Sequence, residues 1–114
     1  MIKVYGIKTC GSVKKAINYL EENGIEFEFI DFKKQKPSKE ELESWLKYIS
    51  LKVLLNNKGM TYKKLGLSKL SLSDEEIFNY LLQEPLLIKR PVIATKDSVI
   101  VGFDEEIYKN TKWH

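Results

Sequence analysis

Apolar residues along the chain switch between two spacings, and the switches mark out its elements. Ile2 to Tyr5 forms a short run suited to a strand, ended by Gly6. From Ser12 to Asn23 the spacing lengthens: Val13, Ala16, Ile17 and Leu20 fall at i, i+3, i+4 and i+7, which predicts a helix buried along one stripe. Gly24 stands where a left-handed helix cap is wanted. Ile25 to Phe32, rich in Phe and Ile, predicts a second strand. Strand, helix and strand within about 30 residues make a βαβ unit, with parallel strands and a right-handed crossover.

The texture then changes. Pro37 and Ser38 open a helix with a capping box, Ser38 with Glu41, ahead of Leu42, Trp45, Leu46 and Ile49 at helical spacing. The stretch LLNNKGMTYKKLGL predicts one or two short helical turns broken at Gly59 and Gly66. A second capping box, Ser73 with Glu76, precedes Ile77, Phe78, Tyr80, Leu81 and Leu82, and Glu84-Pro85 ends that helix. Residues 37–84 therefore form a helical insertion. Strand patterns return in PVIAT and SVIVGF, separated by Lys96-Asp97 as a tight hairpin turn. Asp104 is a good N-cap for a last short helix through Ile107 and Tyr108. The order predicts an α/β fold of one domain, residues 1–114, with the helical segment set into it.

Composition narrows the classes of function. Apolar residues make up 43% of the 114 and charged residues 31%, ordinary for a globular protein with a real core. The net charge of +3 is small, and the basic doublets are scattered among acids, so no direct nucleic-acid surface is expected. No apolar run approaches the roughly 20 residues of a membrane span. The start, MIKVYG, has no apolar leader, so no secretory signal is expected. One cysteine cannot form an internal disulfide, and the cytoplasm is the expected compartment. With one His and one Cys, no metal site is expected.

Cys10 is the residue that carries chemistry. It lies in the loop between a strand and a helix, just before the first helical turn, among Thr9, Gly11 and Ser12. Unpaired backbone N–H groups converge there and the helix dipole adds roughly half a positive charge, so thiolate is favoured over thiol. Lys8 and Lys14 add nearby positive charge. A lone cysteine is more often an inert core residue, but its polar neighbours favour a surface thiol. Ser12 either hydrogen-bonds the sulfur or caps the helix, and capping is the role we expect. A second cluster is KRPVIAT. Pro91 at the start of a strand is either an edge device or a cis peptide with Arg90. Arg90 is either surface charge or a bidentate anion ligand. Trp45, Tyr62 and the Phe residues, at helical or strand spacing, are expected in the core, with Trp113 an exposed tail residue.

Four motifs in order, YGIKTCGSVKKA, LLNNKGMTYKKLGL, LLIKRPVIAT and VIVGFDEEIY, span nearly the whole chain. Together they resemble the arsenate reductase (ArsC-like) family, and most of all its YffB-type branch. The resemblance implies a thioredoxin-like (glutaredoxin-like) mixed four-stranded sheet with an inserted helical subdomain. It implies that Cys10 is the nucleophile, and that Arg90 and a cis Pro91 flank its pocket. The chain departs from the arsenate-reducing pattern of three arginines. Arg90 matches one, Asn56 stands where another would be, and the Gly102-Phe103 region replaces the third, so arsenate is not the expected substrate. The Spx regulators are similar too, but many carry a second cysteine where this chain has Val13.

The function expected is a thiol-dependent oxidoreductase with a single nucleophile, Cys10, resolved by an external thiol such as glutathione. Lys8 and Arg90 would hold the carboxylate of that thiol, and the N–H groups of Gly11 and Ser12 would stabilise developing charge. The substrate is expected to be a small oxidised molecule or disulfide, no cofactor is expected to be bound, and the chain is expected to be a monomer. The alternative is an Spx-type regulator that docks on the RNA polymerase α subunit, with Cys10 as a redox sensor or a relic.

Overall fold

The computed structural model describes all 114 residues, which divide into two units: Met1–Phe32 with Arg90–His114, and Lys33–Lys89. The first unit contains the sheet. Strands β1 (Ile2–Gly6), β2 (Phe27–Asp31), β3 (Val92–Ala94) and β4 (Val99–Val101) lie in the order β2-β1-β3-β4. β1 pairs parallel with β2, while β1/β3 and β3/β4 are antiparallel. This mixed four-stranded sheet, entered through a βαβ unit, is a thioredoxin-like arrangement.

Helix α1 (Gly11–Glu22) forms the crossover. Its Val13, Ala16 and Leu20 are buried, as the i, i+3, i+7 spacing requires. Leu20 joins Ile2, Val4, Ile25, Ile93 and Tyr108 in a core on one face of the sheet. Each such side chain, fully buried, contributes about 1.5–3 kcal/mol. Gly24 ends the helix at φ +64° in a Schellman closure: its N–H donates to the Glu21 carbonyl, and the Ile25 N–H donates to Leu20. Ile25 therefore belongs to the cap, and the strand begins at Phe27, two residues later than the apolar pattern predicts.

After the β3–β4 hairpin, Asp104 caps α6 (Glu105–Lys109) by accepting from the Glu106 and Ile107 N–H groups. Tyr108 on α6 is fully buried, with Tyr19, Phe103 and Trp113 edge-on to it at centroid distances of 5.3, 5.0 and 5.4 Å. Its hydroxyl donates to the Gly102 carbonyl at 2.7 Å. Burial, then the Asp104 carboxylate, push its phenol pKa up. Trp113 is not the exposed tail residue its sequence setting predicts: it is half-buried, and its indole N–H donates to the Tyr108 carbonyl.

The second unit is helical: α2 (Lys39–Trp45), α3 (Leu51–Leu54), α4 (Met60–Lys64) and α5 (Asp74–Gln83), with single 3-10 turns at Leu67–Lys69 and Pro85–Leu87. Both capping boxes close as the sequence predicts, Ser38 with Glu41 and Ser73 with Glu76. Leu42, Trp45, Leu54, Leu67, Leu81 and Leu87 are buried within it. No helix in the chain is long and apolar enough to cross a membrane.

Candidate functional site

Cys10 is the N-cap of α1. Two features put it there. The end of β1 is held tightly against the start of α1, since Gly6 has no side chain and a Cβ at that position would lie 2.7 Å from Val13 Cγ2. The short loop between them is closed by the Cys10 N–H donating to the Ile7 carbonyl at 3.2 Å, and the Lys14 N–H donates back to the Cys10 carbonyl at 3.1 Å. The thiol is free and partly exposed. It is therefore a surface thiol and not a packing residue.

Arg90 and Pro91 come to it from β3. The antiparallel register pairs Tyr5 with Val92; continued one step, it sets Pro91 level with Gly6, where β1 leaves the sheet. The Arg90-Pro91 peptide is cis, the alternative that the motif left open. Pro91 is buried, and its carbonyl accepts from the Gly102 N–H at 2.8 Å. Arg90 is half-buried, with its Nε shut off from solvent.

The electrostatics of the sulfur are a contest. Partial burial pushes the Cys10 thiol pKa up. Against it act the Val13 N–H, the Ser12 N–H, and the Arg90 guanidinium through hydrogen bonding and charge. These outweigh burial, and the pKa lies below that of an ordinary cysteine. The sulfur closes no cap hydrogen bond of ordinary geometry. The two amides act on it as oriented dipoles, which favour charge on the N-cap atom.

The structure redistributes the roles that the sequence suggests. An N-cap side chain faces the second and third amides of its helix. Ser12 and Val13 therefore supply the N–H groups, and Gly11, at the first helical position, is not among the groups acting on the sulfur. Knowing that Cys10 is the cap would have pointed to Val13. Ser12 is exposed and contributes through its backbone. Arg90 supplies the side-chain charge. Lys8 and Lys14, expected to add to it, line a groove along α1 instead. Asn56 lies in the Lys33–Lys89 unit, against Gly59. Gly102 and Phe103 bring a backbone turn and an aromatic ring, with no cation.

Two of the hollows lie in the sheet unit. The larger, about 740 Å³, lies at the far end of the sheet around Gly24, Glu26, Thr95 and Trp113, and Cys10 does not line it. The other, about 410 Å³, runs between α1 and β2. No three His, Cys, Asp or Glu side chains gather as a metal site would need.

A family model described as the ArsC family matches residues 5–111. The chain is 36% identical over 109 residues to YusI of Bacillus subtilis, a protein described as uncharacterised, covering 92% of each. It is 32% identical over 95 residues to an arsenate reductase of Rhizobium meliloti, covering 82% of this chain and 68% of that one. A solved structure of the protein YffB superimposes with a TM-score of 0.89 at 32% identity, covering 96% of this chain and 97% of that one.

Proposed function

The chain belongs to the ArsC family, and from that premise we propose that it is a thiol-dependent reductase whose single nucleophile is Cys10. One observation carries the reading. A partly exposed cysteine caps α1, and the Ser12 and Val13 amides with the Arg90 guanidinium hold its pKa down against the opposing effect of burial. Thiolate, not thiol, is the attacking species.

In the reaction we propose, the Cys10 thiolate attacks one sulfur of a small disulfide. The S–S bond breaks, a mixed disulfide forms on Cys10, and the other half leaves as a thiolate that takes a proton from solvent. With no second cysteine in the chain, an external thiol such as glutathione attacks the mixed disulfide at its non-protein sulfur. That step restores the Cys10 thiolate and releases a new disulfide, so the electrons come from the external thiol. Arg90 holds an anionic group of the bound thiol, and the amides of Ser12 and Val13 hold the negative charge on sulfur in the free enzyme and as it returns. The Rhizobium relative is named for arsenate; what supports a disulfide here is that one guanidinium acts on the sulfur, where the family's arsenate pattern has three arginines.

The test is alkylation of Cys10 by iodoacetamide against pH, with turnover of 2-hydroxyethyl disulfide coupled to glutathione. We expect an alkylation midpoint below the ordinary cysteine value of about 8.5 and turnover abolished in Cys10→Ser. A midpoint at the ordinary value, or turnover that survives the substitution, overturns the proposal.

A further inference from the structure

The groove between α1 and β2 is not used by this mechanism, yet it begins at residues flanking the nucleophile. It is lined by Lys8, Lys14, Ile17, Asn18, Phe27 and Phe29. Its floor is apolar. Phe27 and Phe29 lean on the core with one side and are half-buried, and Ile17 of α1 is half-buried beside them. β2 is an edge strand, so β1 flanks them on one side and no strand flanks them on the other. The rim is cationic: Lys8 and Lys14 are exposed, and neither has an ion-pair partner. No Asp or Glu lines the groove, and none lies in the first turn of α1. The volume, about 410 Å³, falls in the range of roughly 300–1,000 Å³ in which small ligands are held. An apolar floor with unpaired ammonium groups at its edge complements an apolar body that carries an anion.

Both lysines are tied to Cys10 by the backbone. Lys8 precedes it by two residues in the loop, and Lys14 donates its N–H to the Cys10 carbonyl. We infer that the groove receives the body of the small disulfide that exchanges on Cys10, and that this body is an apolar acid. Its aromatic or aliphatic part lies on Ile17, Phe27 and Phe29, and its carboxylate pairs with Lys8 and Lys14. This names a substrate class for the site, and it rests on the reading of Cys10 as the exchanging thiol. A polar tripeptide such as glutathione offers the floor little apolar surface, so the groove selects the oxidised substrate, not the resolving thiol.

The experiment reads binding without chemistry. Labelled Cys10→Ser protein, which cannot exchange, is titrated with 3-phenylpropionate, 3-phenylpropionamide and propionate while amide resonances are followed. We expect 3-phenylpropionate to shift Lys14, Ile17, Asn18, Phe27 and Phe29. We expect it to bind about fivefold tighter than the neutral amide, which is within what two exposed ion pairs supply. Propionate, without the apolar body, binds more weakly still. The double variant Lys8→Gln/Lys14→Gln removes the preference for the acid, and Lys14→Gln alone reduces it. Shifts confined to Gly11–Val13 and Arg90, equal binding of acid and amide, or groove shifts that depend on protein concentration and so report a second copy of the chain, each overturn the inference. Because Cys10 is absent from the assay, these results stand apart from the alkylation test: failure of groove binding leaves the Cys10 reading intact, whereas failure of the alkylation and turnover test removes the exchange chemistry whatever the groove binds.

Discussion

Gly6 and Val13 make the contact that holds the Cys10 loop, and replacing Gly6 with Ala tests it. An added Cβ would sit 2.7 Å from Val13 Cγ2 and 3.4 Å from Cγ1, against an ordinary carbon contact of about 3.5–4.0 Å. Val13 is fully buried, and a valine in a helix is held largely to one rotamer, so its side chain has no free direction in which to move. Overpacking of this kind costs about 1–3 kcal/mol. Val13→Ala alone removes two buried methyl groups, a transfer cost of about 1.6 kcal/mol, and the cavity raises the total to about 2–3 kcal/mol. In the double variant the new Cβ occupies part of the vacated space, so the two costs do not add. The cycle should show a favourable coupling of about 1–2 kcal/mol. Urea unfolding with unchanged m-values measures it. The same substitution displaces the start of α1, so the alkylation midpoint of Cys10 should rise in Gly6→Ala and return toward the parent value in the double variant. Additivity to within about 0.5 kcal/mol would refute the reasoning, because the clash would then be relieved somewhere other than at Val13.

Three further outcomes follow from the site and its supports. Because the folded chain lowers the Cys10 pKa, wild type should gain stability relative to Cys10→Ser as pH rises. The gain is fully present above the unfolded value of about 8.5 and is lost as pH falls through the folded pKa; a difference in urea midpoints that is flat from pH 5 to 9 would count against it. Arg90→Met should move the alkylation midpoint up and Arg90→Lys should restore part of the shift, while an unmoved midpoint in Arg90→Met would remove the guanidinium from the account. Tyr108→Phe leaves the Gly102 carbonyl without the hydroxyl that donates to it at 2.7 Å, and should cost about 1–2 kcal/mol in urea unfolding; no loss would mean that water takes over the bond.

Some of the molecule is legible residue by residue. Both capping boxes are closed by groups three residues apart, so their partners are present in any short window of the chain. The α1 stripe needs only the 3.6-residue period. The strand–helix junction at Cys10 follows from the change of period on either side of it, and the structure moves the helix start by a single residue, to Gly11. Ile25 misled because an apolar residue after a C-cap glycine serves a Schellman closure as readily as a strand. Trp113 misled because its partner, Tyr108, is reached by no periodic element.

Sequence alone therefore determined the elements, their order and the presence of one sulfur at the head of a helix, because each of these depends on side chains close together along the chain. Tertiary structure decided which groups act on that sulfur. Arg90 follows Cys10 by 80 residues and reaches it through the pairing of β3 with β1. The groove depends on Phe27 and Phe29 standing on a sheet edge beside Ile17. The physical reason is range: hydrogen-bonded caps and helical stripes are short-range in sequence, whereas the charge and burial that set a thiol's ionisation come from chain segments brought together only by folding.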